Sequence, residues 1–583
     1  MKYYAVDFES YYDKVYSIKT MGVDAYINDP QFDAYLVSVY GEDISFVGHP
    51  SEFDWNLLNG HQVLAHNARF DETVALKLIK EKVIPATFSP AEWLCTADLS
   101  VYLQAPRNLA GAARHLCDIR MNKETRDKMA KLTYKEACDL GMKQEVDDYT
   151  LGDAVACYEI FSQHGHKWSG LERMISKINR EESRRGVAVD TKRLDEYHEL
   201  LTQTLWKAGN RIPWDWSDRK TPLSPKMLRL ECRKAGIPCP TSLAKDSEEC
   251  MLWENEYGKD YPWVAAMRDW RRANMMLKKV VTLRNRTVDG IFPYSIKYFG
   301  GHTGRFSGGG GFNMQNLPRG MNMGVDLRSL FIPRKGKKMV VADLSQIEAR
   351  VLLWLADDMV TLDEIRGGHS VYEAHAISTM RYDASRGPLD EVDPNLYKLA
   401  KARVLGLGFG CGAARFKDVA RVMAGIELTD EECLSAVTDF RNSNPKIVNM
   451  WQCLQRDCTY NAGGTFSVEL PSGRMMNYYN VRRDRGELTA EMEIGGGRRV
   501  KVYGGKLAEN ITQATARDVF TERMPVLKEM GCDQLFHVHD EYVLEVDFDV
   551  TEDAIEEAII VTPDWLEDCP LGAKVNTIDR YQK

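Results

Sequence analysis

The sequence predicts a multidomain protein that mixes α/β and α+β architecture. Three observations carry that expectation. At roughly 150 residues per domain, 583 residues make about three to five domains. Residues 1 to about 165 alternate short apolar strands with helices, Tyr3 to Phe8 and Tyr35 to Tyr40 reading as strands and Asp148 to Gln163 as a helix. Beyond about residue 290, strands ending at Asp343 and running from His537 to Val546 bracket a long helical segment, as in a sheet-containing domain with a large insertion. Between these parts, residues 166 to about 290 are charged and helical, with Arg180 to Arg185 near one end and Arg268 to Lys279 near the other.

Composition excludes several classes. With 44% hydrophobic and 28% charged residues the chain folds rather than staying disordered. A net charge of −9 argues against a uniformly basic nucleic-acid coat but permits a local basic cleft beside clustered acidic ligands. The 13 cysteines are scattered, odd in number and free of any C-x-x-C pair, which fits reduced thiols in a cytosol and no zinc site. Asp7 and Glu9 interrupt the apolar start at once, so no secretion signal is expected. No run of about 18 apolar residues occurs, so a soluble protein without a membrane partner is expected.

The first acidic group stands on a strand. Asp7 and Glu9 are two apart, so both carboxylates point to one face with Cα atoms about 6.5–7 Å apart. Two anions on one face repel unless a cation lies between them, and carboxylate oxygens are what magnesium prefers. An isolated D-x-E is most often only a solvent-facing edge. Here it has company: Asn67 to Asp71 offers a third carboxylate, and Tyr149 and Asp153 lie at i and i+4 on one helical face.

In this order and spacing the set resembles the DEDD family of 3′→5′ exonucleases in its tyrosine-containing form, a ribonuclease H-like domain, over nearly all of residues 1–165. The resemblance implies that Asp7, Glu9, Asp71 and Asp153 hold two ions about 3.5–4 Å apart. Tyr149 would then orient the attacking water.

The second acidic group is split along the chain. Met339 to Ala342 is an apolar strand that delivers Asp343, after which Ser345 to Arg350 opens a helix. Ser345 and Glu348 match the S-x-x-E capping box, so the structural alternative for Glu348 is a cap on that helix, a role compatible with a second one. Leu535 to Val546 reads as a β-hairpin with Asp540 and Glu541 at its tip, and acidic hairpins are commonly structural. Between them, Lys398, Lys401 and, less closely aligned, Arg403 set cations on the start of a helix whose far end is broken by glycines. Such lysines are usually solvated, but beside two metal-capable carboxylates they could neutralise a triphosphate.

Together these segments resemble the three polymerase motifs of family A DNA polymerases, the group of bacterial DNA polymerase I and many phage replicases. Asp343 to Arg350 is similar to motif A, Lys401 to Gly410 to motif B, and His539-Asp540-Glu541 to motif C. Thr303-Gly304-Arg305, Met314 to Pro318, Leu470 to Arg474 and Glu509 to Asp518 add to the likeness.

The resemblance implies a ribonuclease H-like exonuclease domain at 1–165 followed by a right-hand polymerase domain. The latter divides into a mostly helical thumb at 166–295, palm at 296–360, fingers at 361–485 and palm again at 486–583. It also implies a DNA-templated DNA polymerase with proofreading. Asp343 and Asp540, with Leu344 and Glu541 beside them, would serve two Mg²⁺, with two more at the exonuclease site and Mn²⁺ able to substitute. Lys401 and Lys398 would contact the triphosphate, with Leu405 and Phe409 further along that helix. Glu348, next to Gln346, corresponds to the sugar gate. His539 falls near the primer terminus, and Arg305, Gln315, Asn316 and Gln513 along the duplex, where contacts carry little sequence information.

Two departures stand out. Tyr397 occupies the position where motif B usually opens with arginine, and Leu405 the one where Phe or Tyr commonly stacks on the incoming nucleotide. Tyr372 aligns with a familiar histidine. Because residue 1 lies close to Asp7, no N-terminal 5′-nuclease domain is expected. The compact layout resembles a phage replicative polymerase, working in the host cytoplasm on primer-template DNA and deoxynucleoside triphosphates. A helicase, a single-strand-binding protein or a processivity factor are possible partners.

Overall fold

The apolar residues of β1 (Tyr3–Glu9) make it the central strand of a five-stranded sheet. The structure, a computed structural model, describes residues 2–121, 124–214, 222–244, 247–492 and 497–582. The sheet runs β3-β2-β1-β4-β5, with β2 (Leu36–Tyr40), β3 (Ser45–Gly48), β4 (Gln62–Ala65) and β5 (Glu92–Cys95). β1, β2 and β3 pair antiparallel, whereas β1, β4 and β5 pair parallel. Helices α1 (Ala68–Lys80), α2 (Leu109–Cys117) and α3 (Lys143–His164) follow, α3 packing on β1 and β2. Alternation on β1 sends Phe8 inward, stacked on Trp55 at 5.7 Å, and leaves Asp7 and Glu9 on the half-buried opposite face.

The chain divides into two compact units. One comprises Met1–Arg185, Ser295–Gln315 and Val340–Thr577, the other Gly186–Tyr294, Asn316–Met339 and Ile578–Lys583. Helix α4 (Gly170–Arg185) therefore stays with the first unit, although the sequence groups it with the helical region from 166 onward. The reason is its buried polar face: Asn179 donates to the Ile296 carbonyl at 2.9 Å and Arg180 to the Trp93 carbonyl at 2.6 Å.

The second unit is mostly helical, as expected of this stretch. In it β6 (Val187–Val189), α5 (Thr191–Gly209), α6 (Pro262–Arg286), β7 (Ile291–Phe292) and β8 (Phe331–Ile332) combine a β8-β6-β7 sheet with two packed helices. Asp190 caps α5 by accepting the Arg193 amide at 3.0 Å.

The first unit resumes with β9 (Lys338–Leu344) and α7 (Ile347–Leu355). A helical insertion follows, including α8 (Val371–Met380), α9 (Pro394–Leu407), α10 (Asp430–Ser443) and α11 (Pro445–Tyr460). An antiparallel meander then forms from β10 (Phe466–Glu469), β11 (Met475–Asp484), β12 (Glu487–Met492) and β13 (Arg498–Lys501). It packs on α12 (Gly504–Glu529), where Tyr478, Val481, Leu488 and Ala490 meet Leu507 and Ile511. The expected boundary between 485 and 486 thus falls inside the turn of one hairpin, because both flanking strands share this core. Finally β14 (Asp533–Val538), β15 (Glu541–Val546) and β16 (Ala573–Ile578) join β9 in a sheet of order β14-β15-β9-β16. Among the described residues no helix is long and apolar enough to cross a membrane.

Candidate functional site

The first acidic group assembles from β1, α1 and α3. Asp7, Glu9 and Asp153 each offer a carboxylate oxygen, and these atoms lie within 4.8 Å of one another. The Ser38 hydroxyl donates to the Thr150 carbonyl at 2.9 Å, fixing α3 against β2 so that Tyr149 and Asp153 face β1. Asp71 stands in the first turn of α1, 2% exposed, and accepts the Phe8 amide at 3.2 Å. Burial pushes its pKa up to about 7 against the pull of that hydrogen bond. All five residues line one cleft of about 1070 Å³. Burial, then the charges of Glu9, Asp153 and Asp7, raise the Tyr149 pKa, so the phenol keeps its proton at neutral pH.

Three carboxylates this close repel strongly unless a cation neutralises them, and hard oxygen donors fit a divalent ion such as Mg²⁺. The donor set therefore suits the expected metal.

The cleft also holds residues that sequence reasoning missed. His66 lies between the Arg107 carbonyl at 2.7 Å and the Thr96 hydroxyl at 3.0 Å, and burial lowers its pKa to about 4, so the ring is neutral. Arg107 in turn ion-pairs with Asp98 at 2.9 Å and donates to the Tyr298 carbonyl. Asn67, at φ 89, opens α1. His66 meets partners 30 and 41 residues away and Arg107 reaches Tyr298, 191 residues away, so no local pattern marks either.

The second acidic group is set by backbone. The Leu344 amide donates to the Asp540 carbonyl at 3.1 Å, which seats the end of β9 against the β14–β15 turn. His539, at φ 58, and Asp540 form that two-residue turn between paired Val538 and Glu541. His539 is exposed and Asp540 half-buried, whereas Glu541 is 1% exposed. Only one acid is therefore at the tip; Glu541 already belongs to β15, and its side chain is enclosed.

The capping box does not form. Helix α7 begins at Ile347 after a left-handed Gln346, φ 47, and no side chain caps it. That turn moves the helix start one residue past the position a Ser345 cap requires. The Glu348 carboxylate instead ion-pairs with the Arg305 guanidinium. Burial lowers the Arg305 pKa while the charges of Asp540 and Glu509 oppose the shift, so Arg305 lies in the field of the second acidic group.

The loop that delivers Arg305 is tightly held. Gly304 has φ 86, and a β-carbon there would lie 3.1 Å from both Arg474 Nη1 and the Phe299 ring. Arg474 donates to the Thr303 carbonyl at 3.0 Å and ion-pairs with Asp518 at 3.0 Å. Gln315, 7% exposed, reaches the His537 carbonyl at 3.5 Å. Gln513 donates to Glu509 one turn earlier on α12, at 3.3 Å. Asn316 belongs to the other unit, where its carbonyl accepts Lys279 at 3.4 Å.

On α9, Asp393 caps the start by accepting the Leu396 amide at 3.0 Å, and Pro394 fills the first helical position. Tyr397, Lys401 and Leu405 follow at four-residue steps along one face, all half-buried, with Lys398 exposed beside them. Arg403 departs from the expectation. It is 5% exposed, stacked 5.8 Å from the Phe440 ring and bonded to Ser443 at 3.2 Å, because two residues past Lys401 lies a different helix face. Tyr372 is 9% exposed and packs edge-on against Tyr397 at 5.7 Å. Phe409 is half-buried beyond the end of α9.

Residues 241–581 match the family model described as DNA polymerase family A. The chain belongs to that family. This polymerase is 26% identical to the DNA polymerase of Bacillus phage SP02 over the whole of both chains. It is also 30% identical to the thermostable DNA polymerase I of Thermus filiformis, over 45% of this chain and 29% of that one. Its fold is like that of the POL domain of Pol1 from M. smegmatis, solved in complex with DNA primer-template and dNTP. There the TM-score is 0.67 and the identity 17%, over 99% of this polymerase and 95% of that chain. The family match spans Arg305, Asp343, Lys401 and Asp540, while Asp7, Glu9, Asp71 and Asp153 precede it.

Proposed function

We propose that this DNA-directed DNA polymerase extends primers at Asp343 and Asp540 and excises unpaired 3′ ends at Asp7, Glu9, Asp71 and Asp153. The observation that carries the reading is the pair of separate acidic centres in one chain. One is joined by the Leu344–Asp540 backbone bond; in the other Asp7, Glu9 and Asp153 converge within 4.8 Å, with Asp71 lining the same cleft. Divalent metal bound at these carboxylates, two Mg²⁺ or Mn²⁺ at each centre, would activate the attacking oxygen and stabilise the leaving one.

The chain's own groups do the rest. The Leu344 carbonyl and Glu541 stand beside the two aspartates. Lys401 and Lys398 neutralise the triphosphate from α9, with Tyr397, Leu405 and Phe409 shaping the helix face that covers the incoming nucleotide. Tyr372 supports Tyr397. Glu348, steadied by Arg305 and preceded by Gln346, obstructs a ribose 2′-hydroxyl. His539, Gln315, Asn316 and Gln513 follow the primer-template without reading its sequence. At the other centre the protonated Tyr149 holds the attacking water beside Asp153. The N-terminal sheet domain acts as exonuclease, the helical second unit as thumb, the inserted helices α8–α11 as fingers, and the sheet of β9, β14, β15 and β16 with α12 as palm. The phage relative supports a replicative role in a host cytoplasm, in which helicase, single-strand-binding protein or processivity factor would be met.

A labelled primer on a longer template, given Mg²⁺ with or without deoxynucleotides, tests the reading. Extension with nucleotides and shortening without them are expected. Shortening under both conditions would reduce the chain to a nuclease.

A further inference from the structure

The β10–β13 meander carries charge that neither acidic centre uses. Its β11–β12 hairpin turns through Arg485, φ 51, and Gly486, φ 86. Both are left-handed, the type I′ geometry whose first position favours Asn, Asp or Gly. An arginine there costs roughly 1–2 kcal/mol of backbone strain and gains nothing in packing, since Arg485 is exposed. Arg482 and Arg483 precede it on β11 and Arg498 lies on β13, all exposed. None of these four forms an ion pair with a described carboxylate. Their neighbours do: Arg499 pairs with Glu491 at 2.5 Å, and Lys501 with Glu487. In a chain of net charge −9 this is a local inversion of sign.

The same strand links the two centres. Tyr478 packs its ring 4.8 Å from His302, next to the loop that carries Arg305. Tyr479, on the opposite face, meets His115 of α2 edge-on at 5.6 Å. A bulge between Tyr479 and Arg482 sets both on the outer face, opposite Glu491 and Thr489, whereas Arg483 pairs with the core residue Leu488 and is exposed at the hairpin end. At its other end α2 starts from Asn108 and Leu109, which line the cleft of Asp7 and Asp153, and Arg114 is exposed beside His115. Aromatic faces for bases and guanidiniums for phosphates are the chemistry that holds single strands.

We propose that the outer face and the exposed β11–β12 hairpin end of this meander, together with α2, bind single-stranded DNA, namely the unpaired 3′ segment of a primer before it enters the exonuclease cleft. The destination of the strand rests on the exonuclease reading; its binding does not.

The test compares wild type with Arg482→Ala/Arg483→Ala/Arg485→Ala. These exposed changes leave the core intact, and an Arg→Lys triple variant checks that charge is what matters. In chelator, binding of labelled oligothymidylates of about 16 and about 4 nucleotides is followed against salt. For the longer probe the log–log salt slope of the alanine variant should be shallower by about 2, at about 0.7 for each phosphate no longer neutralised. The lysine variant should keep the slope, and the short probe and a blunt duplex should bind as in wild type. With Mg²⁺ the alanine variant should degrade the short probe normally but excise mispaired primer ends more slowly. An unchanged slope on the longer probe, or an equal weakening on blunt duplex, would overturn the proposal. Failure of wild type to degrade any probe would instead overturn the exonuclease reading and leave the binding result standing.

Discussion

The Leu344 amide and the Asp540 carbonyl meet at 3.1 Å, so main chain seats the end of β9, which carries Asp343, against the turn that carries Asp540. Asp540→Asn should therefore fold with a melting curve like that of wild type. Primer extension should nonetheless fall by at least about 10²- to 10³-fold, as when one group that stabilises a transition state is removed. Stopped-time extension assays beside calorimetry measure both. A melting midpoint that drops with activity would mean that the carboxylate holds the hairpin in place.

Glu348 ion-pairs with Arg305 and does not cap its helix. Removing either partner should loosen discrimination against ribonucleotides, with Glu348→Ala the stronger change, about 10- to 100-fold in the ratio of incorporation efficiencies. Helix stability should hardly respond. Single-nucleotide kinetics with rCTP and dCTP provide the comparison.

Leu405 occupies the α9 face one turn beyond Lys401. A leucine there cannot stack on a nucleotide as an aromatic ring does. Leu405→Phe should change the ratio of dideoxy- to deoxynucleotide incorporation and speed insertion. Identical ratios in the two proteins would remove Leu405 from the nucleotide site.

A buried ion pair ties α4 to α12. Arg517 donates to both oxygens of Glu172, at 3.0 Å for Nη2 to Oε2, and the Tyr298 hydroxyl donates to the same carboxylate at 2.6 Å. Burial raises the Glu172 pKa, but the Arg517 guanidinium outweighs it and holds the carboxyl below its ordinary value. Glu172→Ala would strand a buried cation and should cost about 3–5 kcal/mol, read from denaturant melts.

Glu182 on α4 is the opposite case. Burial pushes its pKa well up, and one carboxylate oxygen lacks a hydrogen bond. An acid whose folded pKa is raised keeps its full stability below the unfolded value near 4.5 and loses it as pH rises through the folded value. Glu182→Gln should therefore melt higher than wild type at pH 8, by about 1 kcal/mol, and no higher at pH 4. Melts at the two pH values decide it.

The acidic centres were largely legible because strand and helix periodicity put Asp7 with Glu9 and Tyr149 with Asp153. What failed did so where backbone geometry overrode a local pattern. The Ser345–Glu348 box was present in letters, yet the left-handed Gln346 shifted the helix start. Arg403 looked like a third cation beside Lys401, but the 100° helical step buried it under Phe440. The β11–β12 turn was hidden because arginine occupies the site where Asn-Gly would have signalled a hairpin. His66 and Arg107 depend on partners that only the folded chain brings near.

The proposed function requires two independent acidic active sites in one chain. Primer extension and 3′ excision measured in parallel on Asp343→Ala and Asp7→Ala test it most directly. Asp343→Ala should lose extension and keep excision, and Asp7→Ala the reverse. Loss of both activities in either variant, or excision that survives Asp7→Ala, would contradict it.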